Sequence, residues 1–239
     1  MTTPPLPLPR CCTALSSDWP FPFPARGARL VSTRFDPARL DPEDFGRCGI
    51  AAPRGAGKRQ TEYLAGRLCA HEALRLTHGN GAVVQSNEDR SPAWPAGCVG
   101  SITHGGGWAG AVVGQASHWR GLGLDVERRL DAGRADRLME EILTPAEREG
   151  YAILDDAERA LKVTVTFSLK ESLFKALYPL VQTRFYFEHA ELVHLGQDGS
   201  ARLRLLTDLS PGWHRGAELD GQFVCFENYL LSLVGIPAT

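Results

Sequence analysis

The stretch "GLGLDVERR", residues 121–129, opens the second half of the chain and carries two acids two positions apart. Its glycine-bounded apolar residues alternate with others, a pattern that predicts a β-strand. Residues i and i+2 share one face of a strand, so Asp125 and Glu127 point the same way, about 7 Å apart along the chain. Two like charges this close repel each other, which indicates that a cation lies between them or that one is protonated.

On both sides of this strand, the chain shows the same arrangement, a long helix followed by antiparallel strands. In the first half, apolar spacing predicts a helix over 57–76 and two strands over 99–114 around a glycine turn. In the second half, it predicts a helix over 165–180 and two strand hairpins over 185–235. We therefore expect an α+β fold with two pseudo-symmetric halves, each a long helix packed on a small antiparallel sheet.

The expected domain boundaries follow from this arrangement and from the proline content of the N-terminus. Residues 1–26 form a proline-rich extension, which we expect to run extended over the surface because proline lacks a backbone N–H. Residues 27–120 would form the N-terminal α+β half, and residues 121–239 the C-terminal α+β half.

The composition of the 239 residues excludes several classes of protein. The formal net charge of −2 argues against a broad nucleic-acid-binding surface, and no apolar stretch is long enough to span a membrane. The N-terminus lacks the charged and apolar regions of a signal peptide, so we expect a cytoplasmic protein. Its six cysteines form no C-x-x-C pair, which favours free buried thiols.

The helix predicted over 165–180 has one apolar side and a second side that carries Glu171 and Lys175, which are i,i+4 neighbours. Lys170 points away from that second side and would either reach round to it or be solvated. Asp125, Glu127 and Glu171 are oxygen donors of the kind that Mg²⁺ takes together with substrate phosphates. The alternatives are a solvated edge strand and an exposed, salt-bridged helix face.

A third element, "GSITHGG" at 100–106, places Thr103 and His104 directly before a glycine turn. A hydroxyl, an imidazole and glycine N–H groups together can hold an anionic oxygen. The alternative is an ordinary histidine in a turn.

Taken together, "GLGLDVE", "FSLKESLFK" and "GSITH" resemble the three signature motifs of the Sfp-type 4′-phosphopantetheinyl transferases. The stretches "KRQTEYLAGRLCA" and "RSPAWPAGCVGSITH" are similar to the branch that contains enterobactin synthetase component D, and to its pseudomonad type. The resemblance covers about residues 28–235. One departure is Ser-Ile-Thr-His in place of the commoner Ser-Ile-Ser-His, which retains the hydroxyl.

This resemblance implies a monomeric enzyme with its active site at the interface of the two halves. Such an enzyme binds coenzyme A and Mg²⁺, with Mn²⁺ as a substitute. It transfers 4′-phosphopantetheine to a serine of an apo acyl carrier protein or of a peptidyl or aryl carrier domain, and releases 3′,5′-ADP. The products serve fatty acid, siderophore, polyketide or nonribosomal peptide synthesis.

By motif match, the resemblance also implies roles for individual residues. Asp125, Glu127 and Glu171 would bind the metal, and Glu171, or a water on the metal, would take the proton from the serine. The residues expected to be catalytic are Glu171, Lys175 and His104. The residues expected to bind coenzyme A are Arg59, Arg67, Arg90, Thr103, His104, Lys170 and Lys175.

Two other functions stay open at this point. The first is a catalytically silent module on the same scaffold that binds coenzyme A or a carrier protein, although the intact set of acids and lysine argues against it. The second is an unrelated Mg²⁺-dependent phosphohydrolase, for which the chain lacks a Gly-x-x-x-x-Gly-Lys-Ser/Thr loop.

Overall fold

The computed structural model describes residues 3–238, which form two compact units, each with its own sheet. Unit 1 contains the described residues of Met1–Trp19, Ala25–Leu122 and Pro237–Thr239, and unit 2 contains Pro20–Pro24 and Gly123–Ile236. The elements up to the boundary are β1 (Ala28–Arg34), α1 (Glu43–Arg47), α2 (Gly57–His78), β2 (Gln85–Ser86), β3 (Pro92–Ala93), β4 (Cys98–Gly105) and β5 (Trp108–Gln115). The boundary lies within the next strand, β6 (Trp119–Arg128).

A three-stranded antiparallel sheet in the order β1-β5-β4 supports unit 1. Strands β4 and β5 join through a two-residue turn at Gly106 and Gly107, whose positive φ angles of 61° and 93° favour glycine. Helix α2 packs on this sheet, and Leu64, Leu68 and their neighbours are fully buried there. The helix ends at Gly79 in a left-handed conformation, as its glycine predicts.

The remaining elements belong to unit 2: α3 (Ala132–Ile142), α4 (Pro145–Ala152), α5 (Asp156–Val181), β7 (Ala190–Leu195), β8 (Ser200–Leu205), β9 (Glu218–Phe226) and β10 (Tyr229–Pro237). The sheet order is β6-β10-β9-β8-β7, and the strands of β7 to β10 pair with antiparallel neighbours. Helix α5 covers this sheet with a fully buried stripe that contains Leu169, Leu173 and Leu177. A long helix on an antiparallel sheet in each unit confirms the expected α+β class.

Helix α5 begins nine residues earlier than the sequence predicts. The Asp155 carboxylate caps its N-terminus and accepts the Glu158 N–H at 2.8 Å. The β-branched residues that follow disfavour a helix locally, but they are buried, and Thr164 donates to the Ala160 carbonyl oxygen at 2.7 Å. Tertiary packing therefore overrides local propensity in this segment.

The N-terminal segment is not only a surface extension, which corrects the expectation for residues 1–26. Cys11 and Cys12 are buried in the core of unit 1, and the Ser16 backbone bridges to Ser32 of β1. Residues 11–16 thus bury apolar side chains and pair with the edge of β1, whereas Pro20–Pro24 belong to unit 2.

The six cysteines are free thiols, as expected, but not all are buried, since Cys98 is half-buried and Cys225 is exposed. In the described part of the chain, no helix combines the length and apolar character needed to cross a membrane.

Candidate active site

Strand β6 lies directly against α5 because Gly123 has no side chain. A Cβ atom at Gly123 would overlap the carbonyl oxygen of Ser172 and lie 2.7 Å from the Ala176 backbone nitrogen. The contact is at the helical turn between Glu171 and Lys175. It therefore brings Asp125, two residues farther along β6, to the polar side of α5.

Asp125 is a buried carboxylate with both oxygens bonded inside unit 2. The Lys175 ammonium lies 2.6 Å from Asp125 Oδ1 and 3.3 Å from the Leu124 carbonyl oxygen, and Ser168 donates to Asp125 Oδ2 at 2.9 Å. The Lys175 ammonium is thus a cation beside Asp125, as expected from the repulsion between Asp125 and Glu127.

A chain of three buried serine hydroxyls holds this carboxylate in place. Because the one hydroxyl hydrogen of Ser168 goes to Asp125, Ser232 must donate to Ser168, at 2.7 Å. The Ser172 hydroxyl lies 2.8 Å from the Ser232 hydroxyl oxygen and 3.1 Å from the Ser232 carbonyl oxygen, and it donates its hydrogen to Ser232. All three side chains are fully buried, so the chain fixes the direction of Asp125 without solvent.

Glu127 and Glu171 have raised pKa values, mainly because burial disfavours their charged forms. The pKa of Glu127 rises to about 7, where the charges of Asp125 and Glu171 add to desolvation and Lys175 opposes them. The pKa of Glu171 also rises through desolvation and the charge of Asp125, again against Lys175. The three predicted metal ligands are thus near enough to influence one another's charge.

The donor chemistry of these acids fits Mg²⁺, although their side chains do not yet form a ligand cluster. Within residues 3–238, no three His, Cys, Asp or Glu side chains stand close enough to hold a metal ion. Mg²⁺ keeps several waters and needs only one or two protein carboxylates beside substrate phosphates. An additional cation would relieve the repulsion that raises the pKa of Glu127. The binding of one ion by all three acids stays a prediction.

Lys170 does not reach the cluster, and it is not solvated, which corrects both expectations for this residue. Its side chain is 1% exposed, and its ammonium donates to Glu147 Oε2 at 2.7 Å and to the carbonyl oxygens of Ile142 at 2.8 Å and Phe187 at 3.1 Å. Burial lowers its pKa, and Glu147 opposes that effect. With three hydrogens and three acceptors, Lys170 has none left for a phosphate.

A pocket of about 200 Å³ opens beside Glu171 in unit 2. Its walls are mainly aromatic, from Phe174, Phe185 and Phe187, with Arg184 and the exposed Tyr186 also lining it. This surface suits an apolar chain attached to a charged group. Leu173 of α5 does not line this pocket and is fully buried in the core.

In unit 1, Thr103 and His104 lie on β4, where Thr103 is buried and the His104 side chain is 43% exposed. His104 Nδ1 lies 3.8 Å from Glu62 Oε2 of α2. Gly66 permits this approach, since a Cβ there would lie 2.8 Å from Ile102 and 3.9 Å from His104. The imidazole is therefore held beside an acid while it remains accessible.

The three arginines expected to bind the nucleotide differ in setting. Arg67 is 5% exposed, donates to the Ser86 hydroxyl at 2.7 Å, stacks on Tyr63 at 4.7 Å and leaves its buried Nε without a partner. Arg90 lies in the turn that joins β2 to β3, with a φ of 72°, and is exposed. Arg59 is exposed on the first turn of α2. Arg67 is thus linked through Ser86 to the hairpin that carries Arg90.

Sequence reasoning did not single out Gly123, Glu147 or Ser232 for the site. Glu147 carried one signal, the capping-box spacing with Thr144, which the structure confirms. Ser232 is a small polar residue within an apolar strand, and the sequence does not reveal which side chain it bonds. Its role depends on which helix residues face it.

Two family models match this chain. The 4′-phosphopantetheinyl transferase N-terminal domain matches residues 51–114, and the 4′-phosphopantetheinyl transferase superfamily matches residues 121–234. Together they span all the residues predicted for the site.

Named relatives are similar over much of the chain. Enterobactin synthase component D of Escherichia coli O157:H7 is 41% identical over 156 residues, which are 64% of this chain and 73% of the relative. The 4′-phosphopantetheinyl transferase Svp of Streptomyces mobaraensis is 34% identical over 205 residues, with 83% and 79% covered. A crystal structure of a holo-(acyl-carrier-protein) synthase from Bacillus anthracis aligns with a TM-score of 0.38 at 20% identity, covering 51% of this chain and 99% of that one.

Proposed function

The chain belongs to the 4′-phosphopantetheinyl transferase superfamily, and from this premise we propose that it transfers 4′-phosphopantetheine from coenzyme A to a serine of apo carrier proteins. The observation that carries the proposal is the Lys175–Asp125 pair beside Glu127 and Glu171, two half-buried glutamates with raised pKa values. All four residues occupy the positions of the family motifs. An inactive binding module would need neither this charge arrangement nor a poised base.

Asp125, Glu127 and Glu171 would hold a Mg²⁺ ion. When bound, the ion neutralises charge on the diphosphate and orients the bond that breaks. Lys175 adds a second positive charge, because its partly exposed ammonium can turn from Asp125 to a phosphoryl oxygen.

Glu171, or a water on the metal, acts in this proposal as a general base for the serine hydroxyl, since a carboxylate or a bound water within hydrogen-bond reach can accept its proton. The serine oxygen then forms a bond to the phosphorus next to the pantetheine, the bond from that phosphorus to 3′,5′-ADP breaks, and 3′,5′-ADP leaves with its electron pair.

Coenzyme A would be bound through its three chemically distinct parts. The 3′-phosphate and adenine carry negative charge and an aromatic face, which suit Arg59, Arg67 and Arg90. Thr103 and His104 supply a hydroxyl and an imidazole for phosphate oxygens. The aromatic pocket beside Glu171 suits the uncharged pantetheine arm.

The test is to incubate the protein with coenzyme A, Mg²⁺ and an apo carrier protein, and to measure the mass of the carrier. We expect the carrier to gain one phosphopantetheine group, and 3′,5′-ADP to appear in equal amount. Coenzyme A binding without transfer to any acyl, peptidyl or aryl carrier would favour the silent module instead.

Glu171→Gln keeps the shape of the side chain and removes its charge. We expect the transfer rate to fall by at least about 100-fold while circular dichroism remains that of the wild type. Transfer at the wild-type rate by this variant would exclude Glu171 from the metal site and as the base.

A further inference from the structure

Beside the proposed site, unit 2 contains a second ion pair that the chemistry above does not use. Lys170 and Glu147 meet at 2.7 Å with side chains that are only 1% and 3% exposed. Replacing a buried ion pair by apolar residues is often neutral or stabilising. Stability alone is therefore a weak reason for this pair to be here.

Both oxygens of Glu147 are bonded to other elements of unit 2. Oε2 accepts the Thr144 N–H of the α4 cap at 2.8 Å in addition to Lys170, and Oε1 accepts the Leu192 N–H of β7 at 2.7 Å. The carboxylate thus joins α4 to the far edge of the five-stranded sheet.

The ammonium of Lys170 joins the same carboxylate to two further segments. Its other acceptors are the carbonyl oxygens of Ile142, at the end of α3, and Phe187, in a 3₁₀ turn before β7. Five segments therefore meet at one buried ion pair, and every hydrogen of the ammonium has an acceptor.

Lys170 directly precedes Glu171, so the ion pair anchors α5 next to the site. Successive residues of an α-helix point about 100° apart, since one turn holds 3.6 residues. Anchoring Lys170 on one side of α5 thus sets the direction of Glu171 and, one turn later, of Lys175.

The same ion pair also fixes one wall of the aromatic pocket. The backbone of Phe187 is held through its carbonyl oxygen, and its ring packs on Phe167 of α5 with centroids 5.6 Å apart. Phe187, Lys170 and Glu171 all line the pocket. A shift of the ion pair would therefore change the pocket and the carboxylate together.

We propose that Glu147 and Lys170 are positioning residues, which orient Glu171 toward the metal and Phe187 toward the pantetheine arm. This inference rests on the proposed function, because it assigns Glu171 to the metal site. It differs from the role that the motif implied for Lys170, since the ammonium acts through the protein and touches no phosphate.

The test compares Glu147→Gln, Lys170→Met and the double variant with Arg159→Met as the matched control. Arg159 also joins α5 to α3, through Asp136 at 3.0 Å, but it lies eleven residues before Lys170. The readouts are kcat, the Mg²⁺ concentration for half-maximal rate, the free-energy of unfolding, and Mn²⁺ affinity in the presence of coenzyme A, measured by electron paramagnetic resonance.

We expect Glu147→Gln to weaken Mn²⁺ binding and to lower kcat by about 10- to 100-fold each, as loss of a supporting contact at a metal site does. Arg159→Met should leave both within about twofold of the wild type, because its ion pair does not adjoin Glu171. The double variant should regain stability, since no buried charge is left unpaired, but it should not regain Mn²⁺ affinity.

A folded Glu147→Gln or double variant with the Mn²⁺ affinity and kcat of an active wild type would overturn the inference and leave the proposed function intact. If Glu147→Gln does not fold, the double variant decides by the same two readouts. A wild-type protein that modifies no carrier would overturn the proposed function itself, and with it this inference.

Discussion

Among single residues, Asp125 and Glu127 are both carboxylates of β6, but only Asp125 has its charge neutralised by a direct ion pair. Asp125 is bonded to an ammonium and a hydroxyl, whereas burial and two neighbouring acids raise the pKa of Glu127 to about 7. The ammonium of Lys175 thus neutralises the charge of Asp125 directly and that of Glu127 only in part. One further cation would complete the neutralisation.

This difference predicts how Glu127 affects stability as the pH changes. A carboxyl group whose folded pKa is raised retains a proton that the unfolded chain releases, so stability falls as the pH rises from about 4.5 to about 7. Without divalent metal at pH 8, Glu127→Gln should be more stable than the wild type by about 1 to 2 kcal/mol, allowing for solvent screening.

The measurement is urea unfolding of both proteins between pH 5 and pH 8 in the presence of a chelator. The advantage of the variant should shrink toward pH 5, where the wild-type group is also neutral in the folded state. A difference that stays constant over this range would show that the charge of Glu127 is not disfavoured by its surroundings.

At the scale of elements, the contact of β6 with α5 determines whether the site exists. Gly123 allows the two backbones to touch, Ser168 of α5 then reaches Asp125, and Ser232 of β10 bonds Ser168. The sequence shows the glycine but not its partner, because the partner lies about 50 residues away on another element.

Gly123→Ala should lower the free energy of unfolding by about 1 to 3 kcal/mol or more, because the added carbon overlaps the Ser172 carbonyl oxygen. The rate of transfer should fall with it, since β6 must move away from α5. Urea unfolding and the carrier-mass assay measure the two effects.

Gly150→Ala is the matched control, because Gly150 lies in α4 with no atom within 4 Å of an added Cβ. Alanine stabilises a helix by about 0.5 to 1 kcal/mol relative to glycine. This variant should therefore be at least as stable as the wild type and fully active. Equal behaviour of the two variants would contradict a specific contact at Gly123.

At the scale of the whole molecule, periodicity predicted both long helices, the strand hairpins and the α+β class. It placed the start of α5 too late, since helix caps and burial outweigh the β-branched residues there. Periodicity could not predict the buried ion pair of Lys170 and Glu147. Whether a lysine side chain points into the core or to solvent depends on the acceptors that distant parts of the fold supply. Motif spacing identified Asp125 and Lys175, which the structure joins directly.

In the proposed function, acids from β6 and α5 bind a divalent ion for transfer, and a crystal structure with coenzyme A and Mn²⁺ is the decisive measurement. We expect an anomalous scattering peak about 2.1 Å from carboxylate oxygens of Asp125 and at least one of Glu127 and Glu171, with Lys175 on a phosphoryl oxygen. A peak bound elsewhere, with Lys175 still on Asp125, would contradict it.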